Sequence, residues 1–376
     1  MSRMKLKEIA IEKNERVDNP SKSPYDIFVG LEHYDSGEAT IRRFGSTERL
    51  ESTMKVFHAG DILIARRNVY LKRAAVADFD GLTSGDSIVL HIENEAYRRI
   101  VPFVLNTDDF WNYANQHADG SMSKRLSPKL LMEYEFSLPD DDIAQVSDIL
   151  WAMERVKSAY RNVIDRTNDL VKSQFIEMFG TPESALESTH TISEVADVQV
   201  GIVIKPTRFY ANGTDGVKAF RSLNIGTMSI KDDDWVYFTH EAMKETQRTV
   251  AHTGDVLVVR SGNPGTSCVV PPEYDGCNVI DLIIAHPKTD MILPEYLCAY
   301  TNMPHGKNQI DVQQRGVAQK HFNVGMYNNL KLILPSIERQ RQFVSFLQQS
   351  DKSKFVGVNR NLSRCSERWI QMRKDG

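Results

Sequence analysis

The chain has 376 residues, of which 41% are hydrophobic and 26% charged, with a formal charge of −4 and a pI of about 6.2. This composition fits the soluble globular class with room for two or three domains. The mild acidity weighs against a lone nucleic-acid binder with a general basic excess, but leaves room for local basic patches or partners that share phosphate contacts. The opening MSRMKLKEIAIEKNE has no unbroken apolar run. No stretch reaches the roughly 18 apolar residues of a spanning helix, so a cytoplasmic protein without membrane contact is expected.

In chain order, LKEIAIE (6–12) is the first landmark, followed by IRRFG with Arg42 and Arg43. HAGDILIARRN (58–68) places a Gly-Asp turn before a buried strand that ends in Arg66, Arg67 and Asn68. SIVLHI (87–92) reads as a further strand. GSMSKRLSPKLLMEYEFSLP (120–139) supplies Lys124 and Arg125, then a closing strand that Pro139 stops. The first domain is therefore predicted over 1–139.

A long helix is predicted over 140–180, where no Pro and no internal Gly occurs. Ile143, Val146, Leu150, Met153, Val156, Val163, Leu170 and Phe175 recur near a 3.5-residue period, as on a coiled-coil seam. Asp140, Asp141 and Asp142 suit the positive end of the helix dipole, while Gly180 and Pro182 end it. At 1.5 Å per residue such a helix spans about 60 Å.

The same grammar then returns. ISEVADV (192–198) matches 6–12, GDVLVVRSG (254–262) matches 60–68, and GVAQKHFNVGMYNNLKLILP (316–335) matches 120–139 without a gap. A period of half the chain means a duplicated domain, predicted over 181–335, rather than a solenoid. NVIDLIIAH (278–286) is read as a strand and LKLILP as the closing one. Basic and amide side chains again cluster at turns: Arg208, Arg221, Arg260, Asn263, Arg315, Lys320 and His321. A second helix is predicted over 336–376 with Ile337, Val344, Leu347, Leu362 and Trp369 on its stripe and polar Gln340 and Asp351 interrupting it. The first helix must run toward the second domain and the second returns, so the pair is expected to be antiparallel. The fold class is α/β (α+β), with two globular domains of mixed sheet and helix and a pseudo-two-fold repeat.

Catalytic signatures are missing: no GxxxxGK[ST] loop, HExxH or GxSxG is written, and neither a catalytic nor a metal site is assigned. SGNPG (261–265) reads as a turn. Cys268, Cys277, Cys298 and Cys365 form no CxxC pair and read as free buried thiols. Arg suits guanine, Asn suits adenine and Lys suits phosphates. The basic and amide residues named above are therefore candidate DNA contacts, the alternative for each being a solvated charge or a structural ion pair.

Taken together, FVGLEHYDSGEATIRRFG (28–45), HAGDILIARRN, FDGLTSGDSIVL (79–90), GSMSKRLSPKLLMEYEFSLP, LVKSQFIEMFG (170–180) and LPSIERQRQFVSFL (334–347) carry a resemblance over essentially the whole chain. The sequence resembles the specificity (S) subunit of type I restriction–modification systems. The resemblance implies a non-catalytic, DNA-binding subunit with two target recognition domains, each reading half of a split, asymmetric sequence. It implies that the helices act as spacer and dock two DNA methyltransferase (modification) subunits. S-adenosylmethionine, ATP and Mg would belong to those partners and to motor-nuclease (restriction) subunits, with no cofactor in this chain. Related readings are a subunit of a methylation-only or bifunctional system, or an assembly scaffold that reads no DNA.

Overall fold

The computed structural model of the chain describes residues 2–120, 123–138, 143–314 and 322–355. It divides into two compact units, one up to Asn162 and one from Val163 onward. Unit 1 opens with β1 (Ser2–Lys5), β2 (Ile11–Lys13), β3 (Arg16–Val17), β4 (Ile27–Val29), β5 (Gly45–Ser46) and β6 (Met54–Phe57). It continues with β7 (Ile62–Ala65), β8 (Ala74–Val76), β9 (Gly81–Thr83) and β10 (Ser87–His91). Helices α1 (Glu95–Val104), α2 (Asp108–His117) and α3 (Pro128–Met132) follow, then β11 (Glu135–Leu138) and the first half of α4 (Ile143–Phe179).

The central sheet of unit 1 has the order β2–β10–β7–β8, with antiparallel neighbours throughout. Every residue of β7 is buried because both faces of the sheet are covered. Ile62, Ile64, Ile88 and Leu90 pack into the cluster that holds Ile100, Phe110 and Trp111, while Leu63, Ala65 and Val89 join Val29 and Phe57 on the other side. That two-sided burial explains why ILIA is continuously apolar rather than alternating. The second sheet, β3–β6–β9–β4–β5, contains the parallel pair β4–β9.

In unit 2, α4 leads into α5 (Pro182–Leu186), α6 (Ile192–Val195), β12 (Ala196–Val200) and β13 (Val217–Phe220). Next come β14 (Ile225–Gly226), β15 (Ser229–Ile230), β16 (Val236–Phe238), α7 (His240–Glu245), β17 (Val256–Val259) and β18 (Ser267–Val269). The unit ends with β19 (Asn278–Val279), β20 (Leu282–Pro287), α8 (Pro294–Asn302), α9 (Pro304–Gln314), α10 (Val324–Asn328) and α11 (Ile337–Phe355). Its central sheet, β12–β20–β17–β18, repeats the order of the first strand for strand. The second sheet, β16–β13–β19, again contains a parallel pair, β13–β19.

The duplication reaches individual hydrogen bonds. Leu6 N donates to Tyr134 O at 3.0 Å, and Ile192 N to Leu330 O at 3.2 Å. Gly60 and Gly254 take φ of 89° and 91°, left-handed values that favour glycine. The following Asp is the centre of each turn. Asp61 accepts from His58 N at 2.8 Å and from His91 Nδ1 at 2.8 Å. Asp255 accepts from His252 N at 2.7 Å and from His286 Nδ1 at 2.6 Å. Both carboxylates are buried, and their bonds and histidine partners offset the cost of that burial.

Two predicted strands change in unit 2. NVIDLIIAH is not one strand: Asp281 takes φ 50°, separating β19 and β20, which belong to different sheets. LKLILP forms no ladder, keeping only the Thr191–Lys331 bridge. Side chains serve its backbone instead. Tyr300 Oη donates to Lys331 O at 2.8 Å, Tyr296 Oη to Ile333 O at 2.9 Å, and Ser188 Oγ to Leu332 O at 2.6 Å.

Helix α4 covers 37 residues. Val146 and Leu150 are buried in unit 1, and Val171, Phe175 and Phe179 in unit 2. In unit 2, Phe343 of α11 lies 5.0 Å from the Phe175 ring and 5.7 Å from that of Phe179. Arg339 Nη2 donates to Met178 O at 2.7 Å, and Asp351 lines one cavity with Ile164 and Asn168. The start of α11 thus meets the end of α4, so the described parts run antiparallel. Gln340 is fully buried and is no interruption of a seam. Its amide accepts from Leu293 N and donates to Met291 O and Pro335 O, closing the approach to α8. Asp140–Asp142, Cys365, Leu362 and Trp369 lie outside the described residues.

Candidate nucleic-acid interface

Strand β7 ends where the candidate residues of unit 1 converge. Asn68 takes φ 56°, turning the chain so that residues 66–68 run beside 123–126. Asn68 N donates to Lys124 O at 2.8 Å, and Leu126 N to Arg66 O at 2.9 Å. Arg67 Nε donates to Ser123 Oγ at 2.9 Å, and that hydroxyl donates to Asn68 Oδ1 at 3.0 Å. Asp86 sits between two of the cations, 3.1 Å from Arg125 Nη2 and 3.7 Å from Arg67 Nη1. Lys124 is tied inward through Asn115 O at 2.9 Å. Five candidates distant in sequence, Arg66, Arg67, Asn68, Lys124 and Arg125, thus form one patch. Nearby Lys55 is held below the usual lysine pKa by burial, with Glu12 opposing and Arg66 adding to the depression.

Arg42 and Arg43 lie apart from that patch. Arg43 pairs with Asp35 at 2.7 Å, and Arg42 donates to Asn162 of α4 at 2.5 Å. The same loop carries Glu38, buried against α4, where it pairs with Arg161 and lies 3.3 Å from Lys157. Lys157 also holds Glu154 at 2.6 Å. Burial raises the pKa of Glu154, Lys157 lowers it and Glu38 raises it further.

In unit 2, Arg260 leaves the end of β17 as Arg66 leaves β7. Its Nε donates to Phe322 O at 3.1 Å, and Nη1 pairs with Asp281. Asn263 stands in the turn of SGNPG, where Gly262 and Gly265 take φ of 87° and 79°. Its Oδ1 is 3.4 Å from Lys307 Nζ. Burial lowers the Lys307 pKa. Arg221 pairs with Asp234 at 3.2 Å, and Arg208 lies over the Phe209 ring at 4.3 Å. The structure therefore does not gather Arg208, Arg221, Arg260 and Asn263 into one contact network as it gathers the unit 1 group. Arg315, Lys320 and His321 lie outside the described residues.

Of the candidate docking positions, Val146, Leu150, Phe175, Val344 and Leu347 are buried, and Ile143, Met153 and Ile337 are half-buried. Val156, Val163 and Leu170 are exposed. The face of α4 that its own units cover passes instead through Glu154, Lys157, Ile164, Val171 and Phe175. Apolar periodicity found only the ends of the covered surface, at Val146, Leu150 and Phe175, because paired charges occupy its middle. Asp86, Asp281 and Glu38 were also missed. The first two carried a signal, an Asp just before β10 or β20, the strand that pairs with β7 or β17.

No helix among the described residues is long and apolar enough to cross a membrane. No protein-family model and no curated protein matches the sequence. Among solved structures, the S subunit of a type I restriction–modification system from M. genitalium is similar, with a TM-score of 0.50 at 10% identity over 100% of this chain and 94% of that one. The HsdS subunit from Thermoanaerobacter tengcongensis gives a TM-score of 0.39 at 20% identity over 98% of this chain and 95% of that one. A chain from a study of complex assembly and conformational transition of the type I R-M system gives 0.36 at 19%, over 100% and 94%. The two-unit α+β architecture with its long helix is thus the fold of a type I restriction–modification specificity subunit.

Proposed function

We propose that the chain is the DNA sequence-specificity subunit of a type I restriction–modification complex. Each repeat, 1–139 and 181–335, reads one half of a bipartite, asymmetric target, and the helical segments 140–180 and 336–376 set the spacer and dock two methyltransferase subunits. The observation that carries this reading is the exact repetition of one sheet order in two units of a single chain, joined by a 37-residue helix. Two equivalent readers on one rod suit two short words of double-stranded DNA, and their divergent loops suit two different words. Half-sites about one helical turn apart lie on one face of the duplex. In this reading the chain itself is non-catalytic, and S-adenosylmethionine, ATP and Mg serve the methyltransferase and motor-nuclease partners. The role is unchanged in a methylation-only system.

Methylome mapping of cells with and without the protein tests the proposal. The expected result is a split, non-palindromic motif that disappears with the protein. One heptad inserted in α4 adds about 10 Å to the rod and should change the spacer while leaving both half-sequences intact. An unchanged methylated sequence after exchange of residues 1–139 for a homologous domain would overturn the proposal in favour of a scaffold that reads no DNA.

A further inference from the structure

Both units set an aspartate among arginines at the same place in the central sheet, but Asp86 ion-pairs with Arg67 and Arg125, whereas Asp281 ion-pairs with Arg260. Arg66 and Arg260 follow the last residues of β7 and β17, and Asp86 and Asp281 precede β10 and β20. The closing segment is strapped over the same arginine in each, by Leu126 N to Arg66 O at 2.9 Å and Phe322 N to Arg260 O at 3.2 Å. What differs is the member that faces solvent. In unit 1 the side chains of Arg67 and Arg125 are 45% and 51% exposed while Asp86, between them, is 26% exposed. In unit 2 Arg260 is 13% exposed and Asp281 42%.

We propose that these pairs are base-reading elements of opposite sense, with unit 1 presenting guanidinium donors to guanine and unit 2 presenting the Asp281 carboxylate to the amino group of cytosine. The inference rests on the reading of the chain as a DNA-specificity subunit. The exposed Asp281 carboxylate repels phosphate, so the unit 2 cluster does not suit a backbone clamp, and in unit 1 Asp86 offsets part of the charge of Arg67 and Arg125 and fixes their direction. Base edges, by contrast, offer both acceptors and donors: guanine O6 and N7 accept from arginine, and cytosine N4 donates to a carboxylate. Pairing also fixes each side chain before DNA arrives, which lowers the ordering cost of binding. Asp86 is thus a positioning residue for Arg67 and Arg125, and Arg260 one for Asp281.

The test measures methylation by the complete complex on duplexes randomised within both half-sites, using wild type, D86N, D86E, R125Q and D281N. D86N and R125Q should each lose preference for guanine at one position of one half-site, by about ten- to a hundredfold, the worth of a good bidentate contact. D86E should retain that preference. D281N should lose preference for cytosine at one position of the other half-site by about the same factor. The half-site left intact in each variant reports that the chain is folded. A split wild-type target with every base preference kept in D86N, R125Q and D281N overturns this inference alone. So does an even loss of methylation across all sequences. A wild-type complex that reads no split target overturns the proposed function and this inference with it.

Discussion

In unit 1 the segment before α4 pairs as a strand, β1 against β11, from Ser2–Leu138 to Lys5–Glu135. In unit 2 the equivalent segment keeps the Thr191–Lys331 bridge and then hands its carbonyls to Tyr296, Tyr300, Gln309 and Ser188. The anchoring of α4 differs in the same direction. Its first half is held by Val146, Leu150, a bond from Trp151 Nε1 to Arg99 O at 2.9 Å, and the charges around Glu38. Its second half is held by an aromatic cluster in which Phe175 meets Phe179, Tyr296, Tyr300, His305 and Phe343. One topology thus tolerates two ways of satisfying the same backbone, because either a ladder or buried side-chain donors meet its hydrogen-bonding need.

The sharpest way to break that comparison is to delete the rings. Phe175→Ala should cost about 3–5 kcal/mol, from lost transfer energy plus the cavity left behind. Leu150→Ala should cost about 2–5 kcal/mol in unit 1, without the multi-ring loss. Chemical denaturation of both variants checks this, and a Phe175→Ala cost no greater than that of Leu150→Ala would show that the aromatic cluster is not the stronger anchor.

Next comes the element the units share. Asp61→Asn and Asp255→Asn each weaken a charge-assisted bond to a histidine and one to a backbone N–H, for about 1.5–3 kcal/mol. The two losses should agree closely in thermal unfolding. A large loss at one position and none at the other would mean that the repeated turns are alike in geometry but not in energy.

Smaller effects separate the closing segments. Tyr300→Phe removes one donor to Lys331 O and leaves Gln309 Nε2 on the same carbonyl at 3.0 Å. The expected cost is about 0.5–1.5 kcal/mol, read as a modest fall in Tm. A cost well above that would mean that Gln309 cannot hold the segment by itself.

The smallest prediction concerns pH. Bonding to Asp255 raises the His286 pKa above 6.5, although burial opposes it. A raised folded value means that the stabilisation is fully present below the unfolded pKa and is lost as pH rises through the folded one. The Tm gap between wild type and His286→Gln should therefore be wider at about pH 5.5 than at about pH 9. A gap of constant width would show that the pair contributes through shape rather than charge.

Much of this was legible in the residues. The repeated Gly-Asp phrase, the apolar runs behind it and the shared 120–139 and 316–335 segments located the two units, since a turn glycine and a strand buried on both faces leave strong local marks. The patch of Arg66, Arg67, Asn68, Lys124 and Arg125 was legible only as separate turns. Its assembly depends on the left-handed Asn68, which brings 66–68 beside 123–126. His91 and His286 went unread, although each lies at or next to the end of the strand that pairs with the one behind the repeated Gly-Asp turn, because a lone histidine carries no periodic signal. The middle of α4 misled for the opposite reason. Val156, Val163 and Leu170 made the apolar stripe, yet the units bury the neighbouring face through Lys157 and Glu154, whose pairing no hydrophobic count can register.

The sequence by itself determined the duplication, the mixed α+β class, the long helix and the turns that start each central strand, because these follow from local conformational preference and from apolar runs. Only the tertiary structure decided which side chains finish each sheet, which face of α4 is covered, and which member of each arginine–aspartate pair meets solvent. Those outcomes rest on contacts between residues far apart in the chain, where burial and hydrogen-bond satisfaction outweigh local preference.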